Sequence, residues 1–340
     1  MDIKQALATI VERQDLSESE MKAVMQQIMT GNATDAQIGG LLMALRMKGE
    51  TVAEITGAAD AMRELAIPVS ISIPNAVDIV GTGGDSANLF NVSSACSFVV
   101  AAAGGHVAKH GNRSVSSSSG SADLLETAGI NLELNPEQVA QCIEQIGLGF
   151  MFAPQHHSAM KYAIGPRKEM SLRTLFNILG PLTNPAGAKH YLLGVFDKSL
   201  CRPMAEALRS LGAVHALVVH AAEGLDEISL AGDTYVAELK EGEVCEYTMT
   251  AQHAGLQVQT LEGLQVNSSQ ESLAVINAAF AGDNPKAVDM IAINAGAALY
   301  AADITTDLKS GVALAKETIL SGAAAAKVEE LAGFSQAFKG

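Results

Sequence analysis

Residues 76–112 read AVDIVGTGGDSANLFNVSSACSFVVAAAGGHVAKHGN, and no other stretch limits the fold as tightly. A short apolar run suited to a buried strand (76–80) stops at three glycines within four residues, Gly81, Gly83 and Gly84. A helical stretch follows (92–104), then a second strand with its exit (105–112). Strand, helix and strand in close succession form a βαβ unit, which predicts a parallel sheet. Residues 121–129 read as a further helix after a polar loop, and 213–221 as a further buried strand. Between 223 and 249, Gly and acidic residues alternate with apolar ones, which predicts irregular or hairpin structure. The tail from about 270 reads as helical and Ala-rich.

Ahead of this unit, the first 67 residues predict helices alone. Ser17/Glu20, Thr34/Gln37 and Thr51/Glu54 have capping-box spacing, in which hydroxyl and acidic or amide group satisfy each other's free N–H. Gly31, Gly49 and Pro68 mark the stops of the second, third and fourth helices. Helices this short bury their apolar stripes only against one another. The fold class is therefore α/β: a small N-terminal helical domain (1–70) and a larger α/β domain (74–340) with a mostly parallel central sheet and surrounding helices. A segment near 165–185 is expected to pack back against the helical domain.

Net charge narrows the partners. With 37 acidic against 22 basic side chains the chain carries −15, which repels nucleic acid and anionic membrane over most of its surface. A phosphorylated ligand then needs a local basic cluster or a metal ion. No apolar stretch reaches the roughly 18 residues that span a bilayer, and the charged, amphipathic N-terminus is unlike a secretory signal. A cytoplasmic protein is expected. Its four cysteines, Cys96, Cys142, Cys201 and Cys245, lack zinc spacing and are expected to be buried, reduced thiols.

Four segments carry candidate chemistry. In the glycine turn, absent Cβ atoms let main-chain N–H groups approach an anion, at the strand ends where parallel sheets bind ligands. A plain tight turn is the alternative. Ser86 sits where a dinucleotide fingerprint needs its third glycine, and no GK[ST] follows for a Walker loop. Asn91, Ser93 and Ser94 fall at the next helix start, where free N–H groups attract anions and where a serine also serves as a simple cap. The second segment, 108–126, supplies the positive cluster: Lys109, His110 and Arg113, with His106 nearby, plus Asn112 and the serines of 114–121. Lys and Arg suit phosphate oxygens. Third, Asp226 and Glu227 in LDEIS are a wet surface turn in isolation, and a magnesium pair beside a phosphate site. Fourth, residues 152–185 hold His156, His157, Lys161, Arg167, Lys168 and Arg173, and end in the two-proline turn GPLTNP.

Taken together, VGTGGD, FNVSSA, KHGNR, SGSADLLE, FAPQHHSAM, FNILGPLTNP, LDE and NAGAALY resemble, in order and spacing along nearly the whole chain, the anthranilate phosphoribosyltransferase family of the nucleoside-phosphorylase-like phosphoribosyltransferases. The resemblance implies attack of anthranilate's amine on C1 of phosphoribosyl pyrophosphate, with pyrophosphate leaving. It places Gly81, Gly84, Asp85, Asn91, Ser93, Ser94, Lys109, His110, Gly111, Asn112, Arg113, Ser114, Ser116, Ser117 and Ser121 around phosphoribosyl pyrophosphate. Gly81, Asn112, His157 and Arg167 match positions around anthranilate, with Arg167 facing its carboxylate and Gly180 and Pro181 near its entry path. Ser93, Asp226 and Glu227 match positions that hold Mg²⁺, two ions in the family. A homodimer through the helical domain is likewise implied.

The implied chemistry needs no catalytic triad, and the sequence offers none; His157 or a bound water is left as the acceptor of the amine proton. Departures are Leu89 for a common Thr, Ser86 for Gly, Ser94 for Thr and Ser158 for Pro. Only Leu89 removes a hydrogen-bonding group, a loss of about 0.5–1.5 kcal/mol. Two other readings compete: a pyrimidine nucleoside phosphorylase-like enzyme, which has no use for the acidic pair, and a nucleic-acid-binding relative, which the net charge opposes.

Overall fold

The computed structural model describes residues 1–84, 87–113 and 119–339. Four helices open the chain: α1 (Ile3–Val11), α2 (Glu18–Met29), α3 (Asp35–Lys48) and α4 (Val52–Leu65). All three predicted capping boxes form, and Asp2 with Gln5 adds one at α1. Gly49 caps α3, and α4 stops at Leu65, three residues before Pro68.

The sheet and its helices follow in the order β1 (Val77–Gly81), α5 (Val92–Ala102), β2 (Val107–Gly111), α6 (Ser121–Thr127), α7 (Pro136–Gln141), β3 (Leu148–Phe152), α8 (Ala153–His156), α9 (Lys161–Met170), α10 (Phe176–Leu179), β4 (His190–Gly194), α11 (Cys201–Ser210), β5 (His215–Ala221), β6 (Thr234–Lys240) and β7 (Glu243–Met249). Helices α12 (Ser269–Phe280), α13 (Pro285–Ala301), α14 (Leu308–Leu320) and α15 (Ala323–Gln336) complete the chain. Strand order is β3-β2-β1-β4-β5-β6-β7. The first five strands run parallel, and the β6–β7 hairpin extends the sheet antiparallel at one edge. The predicted strands over 76–80, 105–112 and 213–221 are present as β1, β2 and β5.

Sequence reading passes over β3 and β4. All five residues of β4 are buried on both faces, so no alternation marks it, yet it lies between β1 and β5 at the sheet centre. One thiol corrects the expectation: Cys96, Cys142 and Cys201 are buried, but Cys245 is exposed, because it lies on the edge strand β7, whose outer positions face solvent.

Two apolar cores flank the sheet. One packs α5 and α12–α15 against it. The other joins the N-terminal helices, Ala163, Leu175–Leu182 and α11 to the opposite sheet face, with Tyr191, Leu193 and Val218 as floor. No helix among the described residues is long and apolar enough to cross a membrane.

A buried carboxylate fixes the helical bundle. Glu54, fully buried on α4, accepts from the Leu16 N–H (3.0 Å), the Thr51 N–H (2.8 Å) and Lys48 Nζ (3.0 Å). Removing it strips the buried Leu16 N–H of its partner and leaves the largely buried Lys48 with Asp15 as its one remaining carboxylate among the described residues. Glu54→Ala is expected to lower unfolding stability by about 3 kcal/mol, read from urea denaturation; a loss under about 1 kcal/mol, the range of a surface pair, would contradict this bracing role.

Candidate functional site

The carboxyl ends of β1, β2 and β4 converge on one rim, with Gly81 paired to Gly194 and Gly111 to Phe152. Onto this rim folds the loop after β5. The Gly83 N–H donates to Asp226 Oδ2 (2.8 Å). A methyl on Gly81 would overlap the Asp226 carboxylate, and one on Gly194 would overlap the Asp226 main-chain carbonyl. Both strand ends must therefore be bare for the acidic loop to seat. Burial raises the Asp226 carboxyl, opposed by its hydrogen bonds with Gly83 and Glu227.

Asn91 ties three segments together. Its Oδ1 accepts from Ser119 Oγ (2.9 Å) and Ser272 Oγ (2.8 Å), and its Nδ2 donates to the Ser119 carbonyl (3.1 Å). It opens α5 without capping it by its side chain; the Val92 N–H turns back to the Phe90 carbonyl (2.6 Å), and the Ser93 and Ser94 N–H groups have no partner among the described residues and suit an anion. Ser93 and Ser94 lie in the first turn; Ser94 Oγ is buried with no hydrogen-bond partner among the described residues. Leu89, the departure from the family pattern, pairs with Gln265 in an isolated antiparallel bridge and packs its side chain on the main core.

Lys109 does not reach into solvent. It is buried, and its Nζ donates to the Ile79 carbonyl (2.5 Å) and to Ser93 Oγ (3.3 Å), directly beneath the glycine turn. Burial lowers its pKa, and the nearby charge of Asp78 opposes this most. Asp78 itself is fully buried, and desolvation pushes it up to about 6. It accepts from Asn184 Nδ2 (2.7 Å) and the His110 N–H (3.2 Å), so the GPLTNP turn is pinned to both strands.

The positive cluster is smaller than the sequence suggests. Burial pushes His110 down to about 3 and His157 down to about 4, so neither adds charge near neutrality. Their rings lie 5.0 Å apart; His110 bonds to the Gly180 main chain and His157 to that of Thr183. Each ring keeps a buried Nε2 without a hydrogen-bond partner among the described residues. Arg167 on α9 is partly buried, 5.3 Å over the Phe176 ring, and has no acidic partner among the described residues. Arg113, by contrast, is engaged by Glu126 (2.7 Å from Nη2) and Asp123 (3.1 Å). Ser121 Oγ donates to the Asn112 carbonyl (3.3 Å), and Gly111 leaves room for that serine. Asp85, Ser86, Ser114, Ser116 and Ser117 lie outside the described residues.

Asp226 and Glu227 suit a magnesium ion that arrives with a ligand. Among the described residues no three His, Cys, Asp or Glu side chains form a metal-holding group. Mg²⁺ takes one or two carboxylates and fills its shell with water and phosphate oxygens. Two carboxyl groups hydrogen-bonded to each other, with a serine-bearing helix start near the same turn, are such a donor set.

A family model described as a glycosyl transferase α/β domain matches residues 73–325, and its companion helical bundle domain matches 4–66. The anthranilate phosphoribosyltransferases of Hahella chejuensis and Azotobacter vinelandii are 61% and 60% identical to the chain, each covering 100% of it and 99% of the relative. The chain belongs to the anthranilate phosphoribosyltransferase family. A crystal structure of the family's Thermus thermophilus member superposes with a TM-score of 0.92 at 43% identity, covering 97% of this chain and 99% of that one. The Saccharomyces cerevisiae member, in complex with PRPP and Mg, does so at 0.88 and 25% identity, covering 98% of each.

Several residues that build this rim escaped sequence reading. Gly194 closes an unpredicted strand, and Ser272 belongs to the tail read only as helical and Ala-rich. Asp78 looked like one polar residue in an apolar run. Arg173, noted only as basic, donates to the Gly84 carbonyl and stacks 4.3 Å from the Phe196 ring centre.

The neutral histidines predict a pH response. In an unfolded chain both rings titrate near about 6.5. Above that pH folded and unfolded states agree, and stability is fully present. Below it the unfolded chain takes up protons that folded His110 and His157 refuse down to about 3 and about 4, so stability falls from pH 6.5 toward 4. Denaturation midpoints across that window should slope less in the His110→Gln, His157→Gln double variant; an unchanged slope would show that other groups set it.

Proposed function

We propose that the protein transfers the phosphoribosyl group of 5-phosphoribosyl 1-pyrophosphate to the amine of anthranilate, giving N-(5-phosphoribosyl)anthranilate and pyrophosphate, a step of tryptophan biosynthesis. The observation that carries this reading is the bond from Gly83 to Asp226, which makes an anion-binding turn and a cation-binding pair parts of one site. A metal-bound pyrophosphate needs both. A nucleoside phosphorylase using free phosphate needs only the turn, and the full-length relatives carry the transferase name.

Anthranilate's amine is a weak base and needs no strong base before attack. The barrier is lowered by holding two substrates in line and by donors aimed at the departing pyrophosphate. The glycine turn, the open start of α5, Lys109, Asn112, Arg113 and the serines serve that leaving group and the ribose. Arg167, partly desolvated and with no acidic partner among the described residues, suits the anthranilate carboxylate. His157, kept neutral and oriented by the Thr183 main chain, has Nε2 available to take the amine proton late. Asp226, Glu227 and Ser93 would hold magnesium, whose charge offsets that of the pyrophosphate. Residues 1–70 and 74–340 serve as two domains in this reading. In this reading the protein is a homodimer through the first, for which exposed apolar side chains there, such as Val11 and Met47, offer a surface, and it works in the cytoplasm.

Mixing the protein with anthranilate, phosphoribosyl pyrophosphate and Mg²⁺ should give a fluorescent product; no turnover with either substrate order would end this reading. Arg167→Ala should raise KM for anthranilate about 10- to 100-fold, the worth of a charge-assisted hydrogen bond of roughly 1.5–3 kcal/mol. KM for the other substrate should stay near its original value, and equal effects on both would remove Arg167 from the anthranilate site. Asp226→Asn with Glu227→Gln should abolish the dependence of rate on magnesium concentration, and an unaltered metal response would clear the pair of that role.

A further inference from the structure

The sequence segment NAGAALY begins with a polar residue that the proposed reaction does not use. Asn294 lies on α13, is 1% exposed, and is surrounded along that helix by buried Ile291, Ala292, Ile293 and Ala295. A buried carboxamide is costly unless every donor and acceptor is met. Here they are met by one stretch of chain. Asn294 Oδ1 accepts from the Ile228 N–H (2.9 Å), and Nδ2 donates to the Ile228 carbonyl (3.0 Å) and to the Met290 carbonyl (3.0 Å). One side chain thus grips both main-chain groups of a single residue, as a neighbouring strand would.

Ile228 directly follows Asp226 and Glu227. Residues 222–233 form no helix or strand, so no ladder sets the path of this loop. On its other side it is held by the Gly83 N–H and by the bare end of β4 at Gly194. Without the carboxamide, both buried Ile228 groups would lose their partners, and the loop could satisfy them only by moving. A move there carries the two carboxyl groups with it.

We propose that Asn294 is a positioning residue for the cation site: its two-point grip on Ile228 sets the place of the Asp226–Glu227 pair against the glycine turn. This rests on the reading of that pair as magnesium ligands. Its sphere of action is the metal and the pyrophosphate that the metal accompanies, not the anthranilate end of the site.

Manganese serves as the probe, counted from the EPR signal of the free ion with phosphoribosyl pyrophosphate present and anthranilate absent. Asn294→Leu, which keeps the number and branching of the side-chain heavy atoms and removes every hydrogen bond, is expected to weaken manganese binding by about 10- to 100-fold, the range found for groups that orient metal ligands. Deuterium uptake should rise at residues 225–229 and stay at its original level in the rest of the sheet. Unchanged manganese affinity overturns the proposal, and so does a uniform rise in uptake, which marks general loosening. The Asp226→Asn, Glu227→Gln variant separates the layers. If it binds manganese as the parent does, the metal reading fails and the proposal with it. If it loses manganese while Asn294→Leu keeps it, the role of Asn294 alone fails. Should Asn294→Leu not fold, Asn294→Asp is read in the same way: it keeps the volume and the acceptor for the Ile228 N–H, and loses the donor.

Discussion

The hydrogen bond from Gly83 to Asp226 joins two loops that lie 143 residues apart in sequence. Neither loop has regular structure of its own; this bond holds them together, while Asn294 grips the acidic loop from behind and Gly194 and Leu264 accept main-chain N–H groups of the glycine loop. The parallel sheet brings them together because β4 lies between β1 and β5, so the β1 exit and the β5 exit are separated by a single strand. That strand ends in Gly194, which takes up almost no space at the rim. The acidic loop can then cross over β4 and reach the glycine turn. Sheet order, a bare strand end and one main-chain to carboxyl bond together bring the two loops to one rim.

Behind this rim lies a second polar layer, deeper than a surface site needs. Asp78, Lys109, His110 and Asn184 are all buried; Asp78 accepts from the His110 N–H and Asn184, Asn184 also donates to the Ala108 carbonyl, and Lys109 to the Ile79 carbonyl, which fixes β1, β2 and the GPLTNP turn in one register. Burying an aspartate and a lysine in the floor of a sheet is expensive, and such groups persist where they are paired and fully bonded. The cost is consistent with a floor that must stay fixed while charged ligands come and go above it. The acidic surface and this small, partly neutral basic set fit the proposed reading, in which main-chain N–H groups and a cation, more than an array of lysines, would meet the ligand's negative charge.

Much of this was readable in the sequence wherever a local rule sufficed. The capping boxes at Ser17, Thr34 and Thr51 depend on residues three apart, and all formed. The glycine turn and the LDE pair were legible because each has a composition of its own. What stayed hidden depends on long-range contact. β4 carries no alternation because both its faces are covered. Nothing local distinguishes the Gly194 that admits Asp226 from the glycines that merely end helices. The burial that silences His110 and His157 comes from segments more than 40 residues apart meeting at one place, so His110 read as part of a charge cluster when it is part of a neutral core.

The paired bare ends of β1 and β4 also bear on how such a protein can change over generations. Because Gly81 and Gly194 lie side by side across two strands and face the same loop, enlargement at either one pushes on the same carboxylate-bearing backbone. Drift at these two positions is limited by clearance rather than by chemistry, and neither can compensate for the other. Change in such lineages is therefore expected to fall elsewhere in the chain, and to leave the crossing over β4 as they found it.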